Sequence, residues 1–96
     1  MDTSIPDLGT WSLPDYYLKI SKSKFSPDEL TVKKESIISW TNRDSVEHNI
    51  ISDNKISFNS GTIASQGEFW YVAKTIGTFN YHCDKHGESG VLIVTP

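Results

Sequence analysis

Apolar and polar positions alternate with a period of two in nearly every patterned stretch of this chain, and no stretch carries the 3.6-residue period of a helix. Tyr16, Leu18 and Ile20 share one face of a predicted strand over 16–21. Pro27-Asp28 marks a turn, after which Leu30 and Val32 alternate with Thr31 and Lys33. Lys34-Glu35 is the next turn. Ile38, Trp40 and Asn42 then point inward, with Ile37, Ser39 and Thr41 on the opposite side. A strand is predicted over 48–52, followed by the polar Asp53-Asn54-Lys55 and an irregular Phe58-Asn59-Ser60-Gly61 with a helical turn nearby. Gln66-Gly67 reads as a hairpin turn. Phe69, Tyr71 and Ala73 alternate with Trp70 and Val72, Lys74 to Gly77 turns, and Phe79, Tyr81 and Cys83 alternate with Asn80 and His82. A last strand is expected over 91–95. Seven or eight short strands separated by turn signals predict an all-β sandwich or barrel. Residues 1–15 contain Pro6, Gly9 and Pro14, show no period, and read as an N-terminal arm or linker held to the barrel by Trp11.

Composition narrows the class. The 96 residues suffice for one domain with a small core, and 36% hydrophobic with 22% charged residues describes a soluble globular chain. No apolar run approaches the roughly 20 residues of a membrane helix, so no membrane span is expected. The first residues, Met1-Asp2-Thr3-Ser4-Ile5-Pro6, lack the basic start and apolar stretch of a signal peptide. A single cysteine forbids an internal disulfide. The net charge of −3, from 9 basic and 12 acidic side chains, argues against nucleic acid as a partner. Asp44, Glu47, Asp53, Asp84 and Glu88 fall in the segments around the candidate chemistry, relieved by Arg43, Lys55 and Lys85, which predicts a mildly acidic end able to steer a basic partner.

That chemistry centres on Thr78 to Val91, which holds the only cysteine and two of the three histidines. Phe79, Tyr81 and Cys83 share the buried face of a strand, so Cys83 sits at its inner end, and His86 can curl back toward it from a glycine-flanked loop. A lone cysteine is more often a small buried hydrophobe than a ligand. A thiolate beside an imidazole nevertheless suits copper or zinc, and a third ligand must come from elsewhere. His48, in a strand-like stretch after the turn Thr41-Asn42-Arg43-Asp44, can supply it. No nucleophile with an evident base and no paired carboxylates at readable spacing support enzymatic catalysis.

One upstream histidine followed by Cys-x-x-His is the ligand order of the cupredoxins, the type 1 copper proteins, and the resemblance extends beyond the ligands. Phe25 to Lys34, Ile38-Ser39-Trp40-Thr41-Asn42, His48-Asn49, Phe58-Asn59-Ser60-Gly61 and Gly77 to Cys83 follow the family pattern in order. They resemble the plastocyanin, pseudoazurin and amicyanin group over roughly residues 16–95. The resemblance implies a cupredoxin-like Greek-key β-sandwich of seven to eight strands over 16–96. It implies copper as cofactor, with His48, Cys83 and His86 as equatorial ligands and His86 as the partly exposed electron port. It also implies that Asn49 bonds across to the cysteine loop, that His82 lies on a lateral surface patch, and that Glu35 is slightly strained where relatives have glycine.

The departure is at the axial position, where relatives place methionine or glutamine; the only methionine here is Met1. Matching the amicyanin-type loop puts the axial slot at Glu88 or Ser89, and matching the longer plastocyanin-type loop puts it at Val91. Gly90 followed by four apolar residues makes Val91 a strand residue, so Glu88 is the expected axial donor. An oxygen ligand is harder than sulfur, favours Cu(II) and lowers the potential. Lys85 stands where relatives often have proline. The implied function is one-electron transfer to a redox protein with a basic docking face, by a monomer that is periplasmic or extracellular in its mature form. Copper delivery or sequestration, a small-molecule-reactive site with an open axial position, and a metal-free scaffold are the alternatives.

Overall fold

The computed structural model describes residues 13–96. Residues 1–12, which include Trp11 and most of the expected arm, lie outside the described residues. Eight strands run in order: β1 (Tyr16–Ser21), β2 (Lys24–Ser26), β3 (Glu29–Lys33), β4 (Ile37–Asn42), β5 (Ile51–Ser52), β6 (Glu68–Val72), β7 (Gly77–His82) and β8 (Ser89–Thr95). They form two four-stranded sheets, ordered β2-β1-β4-β6 and β3-β8-β7-β5. The β1–β4 and β3–β8 pairs are parallel and the other pairs antiparallel. There is no helix among the described residues, and so none long and apolar enough to cross a membrane.

The alternation determines which residues fill the space between the sheets. Leu18, Ile20, Ile38 and Trp40 from one sheet meet Val32, Tyr81, Leu92 and Val94 from the other. Trp40 is the hub: its ring lies 5.6 Å from that of Tyr81 at 84° and 5.7 Å from that of Phe69. Its indole Nε1–H donates to the Tyr81 hydroxyl at 3.3 Å, so neither polar tip is stranded. Burial pushes the Tyr81 phenol up to about 12, despite the opposing hydrogen bond from Trp40. Gly90 faces Tyr81 across the β7–β8 pair, and a Cβ there would lie 2.4 Å from the tyrosine ring. Only glycine lets the ring cross that position.

Several local expectations change. The predicted strand over 48–52 shrinks to β5, because His48 exchanges backbone bonds with Ile63 and Ile50 bonds to Ser60, rather than joining a sheet ladder. Phe58 to Ser60 carries no helical turn, with Asn59 bridging Ile51, and Gly61 turns the chain at φ +67°. The final strand begins at Ser89, two residues earlier than expected. Gln66 does sit in a turn, at φ +68°, but the turn joins the Ile63 bridge to β6 rather than two strands of one hairpin. Ser39 is buried although it is on the outer side of β4, where Tyr17 and Trp70 flank it in register. Glu35 adopts φ +75°, the strained left-handed conformation expected of it.

Candidate metal centre

The site lies at the end of the sandwich where β4 runs out and β7 turns into β8. Asn42, the last residue of β4, is fully buried and sets the course of the chain beyond it. Its side-chain amide donates to the carbonyls of Val46 and Ile63, and its carbonyl oxygen accepts from the Asp44 amide. These bonds shape the 43–47 loop that delivers His48. The His48 backbone then exchanges two hydrogen bonds with Ile63, at 3.1 and 2.7 Å. The ring enters a wholly buried position.

The second segment of the candidate site is a loop closed on itself. The Gly87 amide donates to the Cys83 carbonyl, and the Cys83 amide donates to the Glu88 carbonyl. Gly87 holds φ +83°, a conformation that favours glycine and turns the chain back into β8. Cys83, His86 and Glu88 thereby converge from six residues. Asn49 ties the two segments together: its side-chain Oδ1 accepts from the Asp84 amide at 2.8 Å, and its own backbone amide points at Cys83 Sγ at 3.5 Å.

The donor atoms of His48, Cys83, His86 and Glu88 lie within 4.8 Å of one another. Cys83 Sγ is 3.7 Å from His48 Nδ1 and 3.8 Å from His86 Nδ1, and the two Nδ1 atoms are 3.1 Å apart. Donors at about 2.0 Å (imidazole) and about 2.3 Å (thiolate) from one ion stand roughly 3–4 Å from each other, so these separations fit a shared cation. Glu88 Oε2 is 2.7 Å from His48 Nδ1, with the carboxylate side chain only 5% exposed. Although close enough for an ion pair, the two are not aligned as a hydrogen bond, and both Glu88 oxygens are buried without a hydrogen-bond partner. The proximity is therefore better read as convergence on a common point.

The other face of the His48 ring explains why. Nε2 lies 2.8 Å from Asp44 Oδ2. The Ser23 amide, then the Lys22 amide and the His48 ring, hold the Asp44 carboxyl below the usual carboxylate range against the opposing effect of burial. An ionised carboxylate only accepts, so Nε2 carries the proton and Nδ1 presents its lone pair to the centre. A lone pair facing a carboxylate oxygen at 2.7 Å is repulsive unless a proton or a metal cation lies between them. A thiolate, two imidazoles and a carboxylate make a donor set that fits copper.

The other predicted residues take different places around this centre. His86 is exposed at the rim and His82 points away from the centre. Hydrogen bonding to Asp53, and secondarily to Asp84, raises His82 above the usual imidazole range despite some desolvation. Val91 pairs with Asn80 within the β7–β8 ladder and Ser89 is exposed, so neither joins the group. Sequence reasoning missed Asn42 and Asp44 as organisers. The signals were an inward asparagine closing a strand and a carboxylate four residues before His48.

An eight-stranded sandwich with a buried histidine, a cysteine and a rim histidine clustered at one end defines a class. The family model for the cupredoxin-like domain matches residues 13–94, and the chain belongs to that family. The His/Cys/His site of the family holds copper, and copper is the cofactor. Among solved structures, a purple cupredoxin from Nitrosopumilus maritimus is 27% identical, with 84% of this chain and all of that one covered at a TM-score of 0.75. An oxidised amicyanin mutant is 25% identical over 82% of this chain and 80% of its own, also at 0.75. The Cu(I) form of another amicyanin mutant reaches a TM-score of 0.79 over 91% and 88%, at 22% identity, a likeness of fold alone. A search of curated protein sequences finds no match.

Proposed function

We propose that this protein is a mononuclear copper electron carrier, in which His48, Cys83 and His86 would hold the metal and Glu88 would supply a fourth, oxygen donor. The observation that carries the reading is the His48 ring, whose Nδ1 faces Cys83, His86 and an unpartnered Glu88 carboxylate while Nε2 is held by Asp44. Bound copper supplies a one-electron Cu(I)/Cu(II) couple. The chain's own part is to keep the donors in place. The Ile63 bridge, the Asn49 tie and the closed Cys83–Glu88 loop fix them from two separate segments, so little rearrangement accompanies a change of charge.

His86 at the rim is the route for electrons. The exposed Glu47 carboxylate, only loosely offset by Lys85 at 4.0 Å, and the exposed Asp84, whose carboxylate is shared with His82, favour a redox partner with a basic docking face. The working unit is the domain over 16–96, to which Asp15 is joined by two hydrogen bonds with Ile37, acting as a monomer and not as an enzyme. A periplasmic or extracellular setting accords with the family.

Voltammetry of the copper-loaded protein tests the axial assignment. A carboxylate beside the metal stabilises Cu(II), so Glu88→Gln should raise the potential, by about 59 mV for each tenfold change in relative affinity. Glu88→Met should move the visible spectrum toward that of a methionine-ligated site. An unchanged potential and spectrum in Glu88→Gln would remove Glu88 from the ligand set. A second reading rests on a cleft of about 400 Å³ lined by Ser23, Lys24, Phe25, Asp28, Gly87, Glu88 and Ser89, which borders the axial side. Small ligands entering there would perturb the spectrum on addition of azide.

A further inference from the structure

The β1–β2 hairpin closes through Lys22 and Ser23, both at φ +55°. A two-residue loop with both φ positive is the type I′ turn, for which asparagine and glycine are the usual residues. Lysine and serine each carry a Cβ that disfavours this conformation, so something else must hold the turn. That role falls to Asp44. The Lys22 amide donates to its Oδ1 at 2.6 Å and the Ser23 amide to its Oδ2 at 2.9 Å. The same Oδ2 accepts from His48 Nε2 at 2.8 Å. One carboxylate, 15% exposed, thus joins a strained surface turn to a fully buried ring.

We propose that Asp44 is a positioning residue for the metal centre: gripped by the two turn amides, its carboxylate fixes the tautomer and orientation of His48 and strengthens Nδ1 as a donor. The proposal rests on His48 being a copper ligand. The amides matter because a free carboxylate rotates, whereas one held through both oxygens presents Oδ2 to the ring in a single direction. A carboxylate bonded to the far nitrogen raises the donor strength of the near one, and losing such a partner typically weakens metal binding about 10–100-fold. Because the extra electron density favours the more highly charged ion, Cu(II) loses more than Cu(I) when Asp44 is neutralised.

Two measurements test this, one of them without metal. In the copper-free protein, nitrogen-15 NMR of the His48 ring should show a single tautomer with the proton on Nε2, and Asp44→Asn should give a mixture. In the copper-loaded protein, Asp44→Asn should weaken Cu(II) binding about 10–100-fold and raise the potential by about 59 mV for each tenfold by which the Cu(II) loss exceeds that of Cu(I). A purely structural role is separated by repeating Asp44→Asn in a Lys22→Asn, Ser23→Gly background, whose turn needs no clamp. Persistence of the tautomer change and the potential shift there supports positioning. Their disappearance there, or an unchanged tautomer in Asp44→Asn, overturns it. If the parent protein binds no copper, the electron-carrier reading fails, while the tautomer measurement still decides the role of Asp44 toward His48.

Discussion

Around Trp40 the interior is closed on itself; around His48 it is left incomplete. Trp40, Tyr81, Phe58 and Phe69 pack ring against ring, and the two polar tips among the fully buried aromatics meet each other. At the ligand end, a thiol, two ring nitrogens and a carboxylate converge with no alignment that satisfies them all. Among the described residues, the buried side-chain oxygens without a hydrogen-bond partner are the two of Glu88. Native interiors rarely leave such groups unpaired, and where they do, function is the usual reason. The fold's own stability therefore resides in the first region, and the second is completed by something the chain binds.

Substitutions can break this contrast from either side. The largest expected effect is in the aromatic region. Trp40→Ala should cost about 3–5 kcal/mol, read by denaturant unfolding, and by the same amount with and without copper. A copper-dependent loss would show that the two regions are energetically one.

The next effect belongs to the ligand end. A ligand that binds only the folded state at a hundredfold excess over its Kd stabilises it by about 2.7 kcal/mol. Copper should raise the melting temperature accordingly, and His48→Ala should forfeit most of that rise. Equal copper-induced shifts in the two proteins would exclude His48 as a ligand.

Smaller but sharper is the behaviour of Glu88 without metal. Removing the charge of a buried, unpartnered carboxylate relieves a desolvation penalty. Glu88→Gln should therefore make the copper-free protein more stable, by about 1–3 kcal/mol, while reducing the gain on copper binding. A copper-free Glu88→Gln protein less stable than the parent would mean that Glu88 has a structural partner after all.

The same contrast explains what the sequence made legible. β1, β3, β6 and β7 were readable from alternation, because each turns one face inward and the period of two records it, and β4 was readable from the same period although its outer Ser39 is buried too. The convergence of His48, Cys83 and His86 was legible because few residue types offer soft or imidazole donors, and the order of those three is distinctive. The local signals at Asp44 and Asn42 did not reveal their roles, since these depend chiefly on backbone groups of Lys22, Ser23 and Ile63, more than twenty residues away in sequence. The shortening of the 48–52 strand to Ile51–Ser52 was hidden for the same reason: apolar Ile50 and Ile51 read as strand, while the bonds that divert the backbone come from Ser60 and Ile63. The requirement for glycine at position 90 arises only when the Tyr81 ring is seen crossing it.

The central claim, that copper completes the unsatisfied end of the sandwich through Cys83, is tested most directly by a visible absorption titration with Cu(II). The parent protein should develop an intense thiolate-to-copper band that saturates at one equivalent, and Cys83→Ser should develop none, because serine cannot donate charge as a thiolate does. An intensely coloured Cys83→Ser protein, or a parent that takes up copper without the band, would contradict the account.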